Sequence, residues 1–139
     1  MPKYLISACL AGLNCKYDGG NNLHLKIMKL VNSGEAILIC PEQLGGLPTP
    51  RPPAEIIENK VININGEDVT VQFQKGAQEA LLAAQNLGIT YAILKERSPS
   101  CGVHYIYDGT HSGKIIPGQG ITTSLLQKHN IKILSEKDL

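Results

Sequence analysis

Three short apolar runs, each delivering a cysteine at or beyond its end, constrain this chain more than any other feature. They read Tyr4-Leu5-Ile6-Ser7-Ala8-Cys9, Ala36-Ile37-Leu38-Ile39-Cys40 and Tyr91-Ala92-Ile93-Leu94, the last followed by KERSPSCG with Cys101 in it. Continuous apolar runs of this length predict strands buried on both faces, as in a parallel sheet. The segments between them fit that reading. Residues 22–33 place Leu23, Ile27, Leu30 and Val31 on one helical face, with Asn21 or Asn22 as start and Gly34 as stop. Residues 74–87 form the clearest helix, with Ala77, Ala80, Leu81, Ala84 and Leu87 in one stripe before Gly88.

The remainder reads as shorter insertions and a closing unit. VININGEDVTVQF (61–73) alternates on either side of Asn65-Gly66 and predicts a two-residue hairpin. YIYDGTHSGKII (105–116) predicts another with a longer turn, and QLGGLPTPRPPAE (43–55) carries too many prolines for regular structure. A last helix at about 121–129 leads into a strand at 131–134. Strands alternating with helices predict one α/β domain over residues 1–139, a Rossmann-like parallel sheet with helices on both faces and short hairpin insertions. Ligands of such sheets bind beyond the carboxyl ends of the strands. Cys9, Cys40 and Cys101 all fall at that edge.

Composition narrows the partners. A net charge of +1 gives no electrostatic footprint for nucleic acid or an anionic membrane, and 4% aromatic residues without tryptophan leave no base-stacking platform. No segment is long enough to span a bilayer, and the N-terminus lacks the pattern of a signal peptide. A cytoplasmic protein acting on a small molecule is therefore expected, and no sequence signal specifies an oligomeric state. In that compartment four cysteines are reduced, metal-bound or catalytic more often than they are structural disulfides.

Three thiols gathered at one sheet edge have several chemical uses. Buried packing is the ordinary fate of a single cysteine, but it does not collect three at equivalent strand ends. No paired C-x₂₋₄-C spacing announces zinc, and no C-x-x-C announces redox cycling; Cys9 and Cys15 are the nearest pair. An iron–sulfur cluster accepts widely separated thiolates. Glu42, two residues after Cys40, is placed to move a proton, and Ser98 and Ser100 flank Pro99 beside Cys101. Lys16, Arg51 and Arg97 read first as solvated charges, and no histidine forms a ligand pair at recognisable spacing. Two other uses stay open: a closed, non-catalytic site of Cys9, Cys15, Cys40 and Cys101, or a cysteine nucleophile with Glu42 as base.

SACLAGLNCKYDGG, CPEQLGGLPTPRPPAEI and LKERSPSCG resemble the three signature blocks of the thiouracil desulfurase family, in order and at similar separations. The resemblance implies a cytosolic enzyme that carries a [4Fe–4S] cluster on Cys9, Cys40 and Cys101 and leaves one iron free for a substrate sulfur. It further implies that Glu42 is the acid–base carboxylate, that Ser98 assists it, and that water replaces sulfur as 2-thiouracil becomes uracil plus sulfide. Cys15 stands outside that ligand set.

Overall fold

Leu5 and Ile6 are adjacent in sequence, and both are fully buried, so the first strand has protein on each of its faces. In the computed structural model, which describes residues 2–139, this strand is β1 (Tyr4–Ser7). It is flanked by β2 (Ala36–Ile39) on one side and β5 (Tyr91–Leu94) on the other, with β8 (Lys132–Ser135) outermost. All four strands are parallel, with Tyr4 opposite both Ala36 and Tyr91, and Leu94 opposite Ser135. The predicted α/β class and its parallel sheet are therefore present.

Alternation assigns each side chain to a layer. Leu5, Ala92, Leu94 and Ile133 join Ala80 and Ala84 of helix α3 (Thr70–Asn86) and Leu126 of helix α4 (Ile121–Lys128) in one core. Ile6 and Ile93 form a second core with Ile27 of helix α1 (Leu25–Asn32), joined by Leu30, Val31 and Leu134. Gly34 and Gly88 take positive φ just beyond α1 and α3, as their reading as helix stops requires. The predicted start of α1 is corrected: Asn21 accepts from Leu23 N in a turn, and His24 is the residue before the helix.

Two hairpins stand outside the main sheet. The alternating segment 61–73 reverses at Asn65-Gly66 as predicted, with Ile62 and Asp68 in an antiparallel bridge, but its second arm does not continue as a strand. Its first half is β4 (Lys60–Asn63), but β4 pairs with β3 (Ala54–Ile57), and Thr70–Phe73 belong to α3. Asp68 explains the switch, because its Oδ1 accepts from both Thr70 N (2.9 Å) and Thr70 Oγ1 (2.6 Å) and closes the turn that starts the helix. Val69 and Phe73 then pack with Val61 in a third apolar cluster that binds the hairpin to α3. The proline-rich segment is also more regular than expected: Gln43 and Leu44 close the short helix α2 (Pro41–Leu44), and Ala54-Glu55 open β3. The second hairpin, β6 (Tyr105–Tyr107) with β7 (Ile115–Pro117), has the longer turn predicted.

Candidate functional site

The carboxyl ends of β2, β1 and β5, three neighbours in the sheet, each continue into a cysteine-bearing turn. After β1 the chain enters a 3₁₀ turn, Ala8–Ala11, which presents Cys9; the Cys9 carbonyl accepts from Asn22 N at 2.9 Å. After β2, Cys40 is the extended residue before α2, whose first position is Pro41, a residue suited to a helix start. After β5, Gly102 N donates to Ser98 O and Thr123 Oγ1 donates to Cys101 O, so the loop bearing Cys101 is tied both to itself and to α4.

Cys9, Cys15, Cys40 and Cys101 are all free thiols on the wall of one cavity of about 480 Å³, together with Glu42 and Ser98. Burial pushes the Cys101 thiol up to about 12, and burial likewise raises Cys9. Cys15 and Cys40 form a close pair. Cys40 Sγ donates to Cys15 O at 3.7 Å, and the adjacent Cys15 side chain holds the Cys40 thiol below the usual range while Cys15 is raised in return. Among the described residues, no three cysteine, histidine or carboxylate side chains converge tightly enough for a single metal ion. Three thiols around a wider cavity suit an iron–sulfur cluster, whose irons face several directions, better than one tetrahedral zinc.

Glu42 links the cysteine turns. Its Oε1 accepts from Arg51 Nε and its Oε2 from Ser100 Oγ, both at 2.9 Å. Arg51 is buried, and its other nitrogens donate to Cys15 O (2.9 Å), Thr49 Oγ1 (2.8 Å) and Pro48 O (3.3 Å). The guanidinium therefore fixes the carboxylate and the Cys15 turn together, which a solvated surface charge would not do. Ser98 reaches Glu42 only through Ser100. Its Oγ accepts from Ser100 N (3.1 Å) and Cys101 N (3.0 Å), so its own proton is directed to Ser100 Oγ at 2.9 Å. Ser100 has one proton and two acceptors, Glu42 and the Cys101 sulfur at 3.6 Å.

Sequence reasoning missed three contributors. Glu96 Oε1 accepts from Val103 N and His104 N at 2.8 Å and from Tyr105 N at 3.0 Å, folding the segment after Cys101 back on itself. Glu55 and His111, from the two hairpins, also line the cavity. No local pattern could have flagged Glu55 and His111, because the contacts that join them link residues 54 and 56 positions apart. Lys16 pairs with Asp18, which accepts from Gly20 N; this is the turn chemistry read from Asp18-Gly19-Gly20.

Comparison with known proteins gives a consistent result. A family model described as 2-thiouracil desulfurase matches residues 4–138. The uncharacterized protein YbbK of Bacillus subtilis (strain 168) is 43% identical, covering 97% of this chain and 96% of its own length. The solved structure of TudS, described as a [4Fe-4S]-dependent thiouracil desulfidase, superposes with a TM-score of 0.96 at 44% identity. That match covers 100% of this chain and 93% of TudS.

Proposed function

Because the chain belongs to the 2-thiouracil desulfurase family, we propose that it replaces the sulfur of 2-thiouracil, or of a related thioamide, with oxygen. In this reading Cys9, Cys40 and Cys101 hold a [4Fe–4S] cluster. When bound, the cluster supplies a Lewis-acidic iron with affinity for soft sulfur. The overall change is C=S plus water to C=O plus hydrogen sulfide, so no external oxidant or reductant is needed.

The remaining work falls to side chains. Water attacking the thiocarbonyl carbon must lose its protons, and Glu42 is the carboxylate available to take one. One observation carries this reading: a single carboxylate, fixed on one side by a buried arginine, receives a serine hydroxyl that also touches the Cys101 sulfur. Ser98, Ser100 and Glu42 form a continuous hydroxyl-to-carboxylate chain along which a proton can move without a change of backbone. Arg51 orients the carboxylate and offers it no proton.

No helix among the described residues is long and apolar enough to cross a membrane, and we place the enzyme in the cytoplasm as a protein of one domain acting on a small molecule. Anaerobic reconstitution tests the reading directly. The protein should take up about four irons and four sulfides per chain, as a cuboid cluster requires, and then form uracil from 2-thiouracil. Stoichiometric zinc without acid-labile sulfide would instead support a closed four-cysteine site, and the enzymatic reading would be abandoned.

A further inference from the structure

Four cations line the cavity, and Arg51 is the one kept from water. Only 5% of its side chain is exposed, against 34% for Lys16 and 25% for Lys95, which pair with Asp18 and Glu136; Arg97 is exposed. The Arg51 backbone is tied down as well, since its N–H donates to Tyr17 O at 2.8 Å. A charge in such a place acts on its neighbours more strongly than a solvated one, because little water screens it.

The Cys15 carbonyl oxygen joins this guanidinium to Cys40. It accepts from Arg51 Nη2 at 2.9 Å and from Cys40 Sγ at 3.7 Å. The second of these bonds lasts only while Cys40 keeps its proton. A cysteine ligates iron as the thiolate, so ligation by Cys40 takes that donor from the carbonyl and leaves an anionic sulfur beside it. Among the described residues, Arg51 is then the remaining donor to that oxygen. The same guanidinium holds Glu42 Oε1 through Nε at 2.9 Å. In the loaded protein it therefore serves two anions from one buried position, and buried anions without such compensation are costly.

We propose that Arg51 is a positioning residue for Cys40 as well as for Glu42: its charge offsets that of the ligating sulfur, and its Nη2 keeps the Cys15 carbonyl in place once the thiol proton is gone. The inference rests on the desulfuration reading for its cluster and assigns retention of that cluster in part to a residue that ligates nothing. It also separates two contributions of one side chain. The bond to Glu42 serves turnover, and the charge beside Cys40 serves retention of iron.

Arg51→Gln and Glu42→Gln break the same ion pair from opposite ends, which makes the test selective. If the pair only braced α2, both variants would shed iron at one rate. Each protein is reconstituted anaerobically with iron and sulfide, a ferrous chelator is added, and the visible absorbance of the cluster is followed. Arg51→Gln should lose iron roughly 10–100-fold faster than wild type, the range for removing a group that supports a metal ligand. Glu42→Gln should lose it no faster than wild type, because the guanidinium keeps its charge for the sulfur. Arg51→Lys restores the charge without the fork, so it should recover most of the retention but not the turnover. The double variant, with glutamine at both positions, leaves no buried charge unpaired and guards against loss of fold in Arg51→Gln; it should shed iron as quickly. Equal iron loss in Arg51→Gln and Glu42→Gln, slow loss in the double variant, or loss in Arg51→Lys as fast as in Arg51→Gln would overturn the assignment and leave desulfuration standing. Wild-type protein that binds the cluster but forms no uracil would overturn desulfuration alone, and protein that takes up no iron and sulfide would overturn both.

Discussion

Glu42 has two fixed hydrogen-bond partners among the described residues, so a substitution at this residue can be interpreted closely. Glu42→Gln preserves shape and can still pair with Ser100, but it removes the basic carboxylate. Iron content should hold while turnover falls on the order of 10²–10⁴-fold, as expected for a lost general base; full activity would show that water is deprotonated elsewhere. The serines separate by position. Ser98 is the assisting hydroxyl implied by the family, yet Ser100 makes the direct contact with Glu42. Ser100→Ala should therefore lower turnover at least as far as Ser98→Ala, with iron assayed in both. Cys15 is a different matter. It borders a second recess with Leu38, Leu44 and Cys40, and it meets Cys40 through its backbone: Cys15 O accepts from Cys40 Sγ at 3.7 Å and from Arg51 at 2.9 Å. That contact belongs to the backbone and does not depend on the Cys15 side chain. Cys15→Ser, which leaves that backbone contact in place, should retain iron and most activity, while serine at position 9, 40 or 101 should remove both. Loss of iron in Cys15→Ser equal to that in Cys9→Ser would make Cys15 a ligand.

Helix α2 carries Glu42 and follows directly from Cys40, and its placement depends on close backbone contact with α3. A β-carbon at Gly76 would lie 1.9 Å from Pro41 O, and one at Gly45 would lie 1.9 Å from Gln72 O. Neither obstacle is a side-chain tip that can swing aside. Gly76→Ala should therefore cost about 1–3 kcal/mol by overpacking, despite alanine's better helix propensity, and should also lower activity by shifting α2. Urea unfolding and kcat measured on the same samples check this; a more stable Gly76→Ala would show that the helices can part freely. The element scale is also where sequence reading worked unevenly. The three cysteine-bearing strands were legible because a run such as Leu5-Ile6 has no polar face to contradict burial. The segment 61–73 was legible only to its turn: the reversal at Asn65-Gly66 is present, but Val69, Val71 and Phe73 satisfy strand alternation while helix α3 starts among them. A two-residue interaction, Asp68 with Thr70, decides between strand and helix. At the site, Cys9, Cys40, Cys101 and Glu42 could be found from strand ends. Arg51, Glu55 and His111 could not, because nothing local distinguishes a buried, paired charge from a solvated one.

Taken over the whole molecule, the titrating groups define a pH window for stability, and Glu96 dominates its acid side. Burial raises the Glu96 carboxyl, but the N–H groups of Tyr105, His104, Val103 and Arg97 outweigh burial and hold it below its ordinary value. A depressed carboxyl contributes stability that is fully present above the unfolded value of 4.5 and is lost as pH falls through the folded value. Asp18, Asp68 and Asp108 are lowered as well, by Gly20 N–H, the Thr70 hydroxyl and the Thr110 hydroxyl respectively, but they lie in solvent and add little. His104 has the opposite sign. Its hydrogen bond to Asp138 raises it, so its small, exposed contribution is complete below 6.5 and fades as pH rises through the raised value. The result is a plateau that ends on the acid side when Glu96 protonates and its cluster of charge-assisted bonds weakens. Glu96→Gln retains an oxygen acceptor but not the charge, and should cost about 1–3 kcal/mol near neutral pH. Urea unfolding of both proteins, reduced and cluster-free, should show that gap intact at pH 6, narrowing below 4.5, and closing as Glu96 protonates. A gap that persists undiminished to pH 3 would mean that Glu96 acts through shape and not charge, and that the acid limit of the fold is set by other groups.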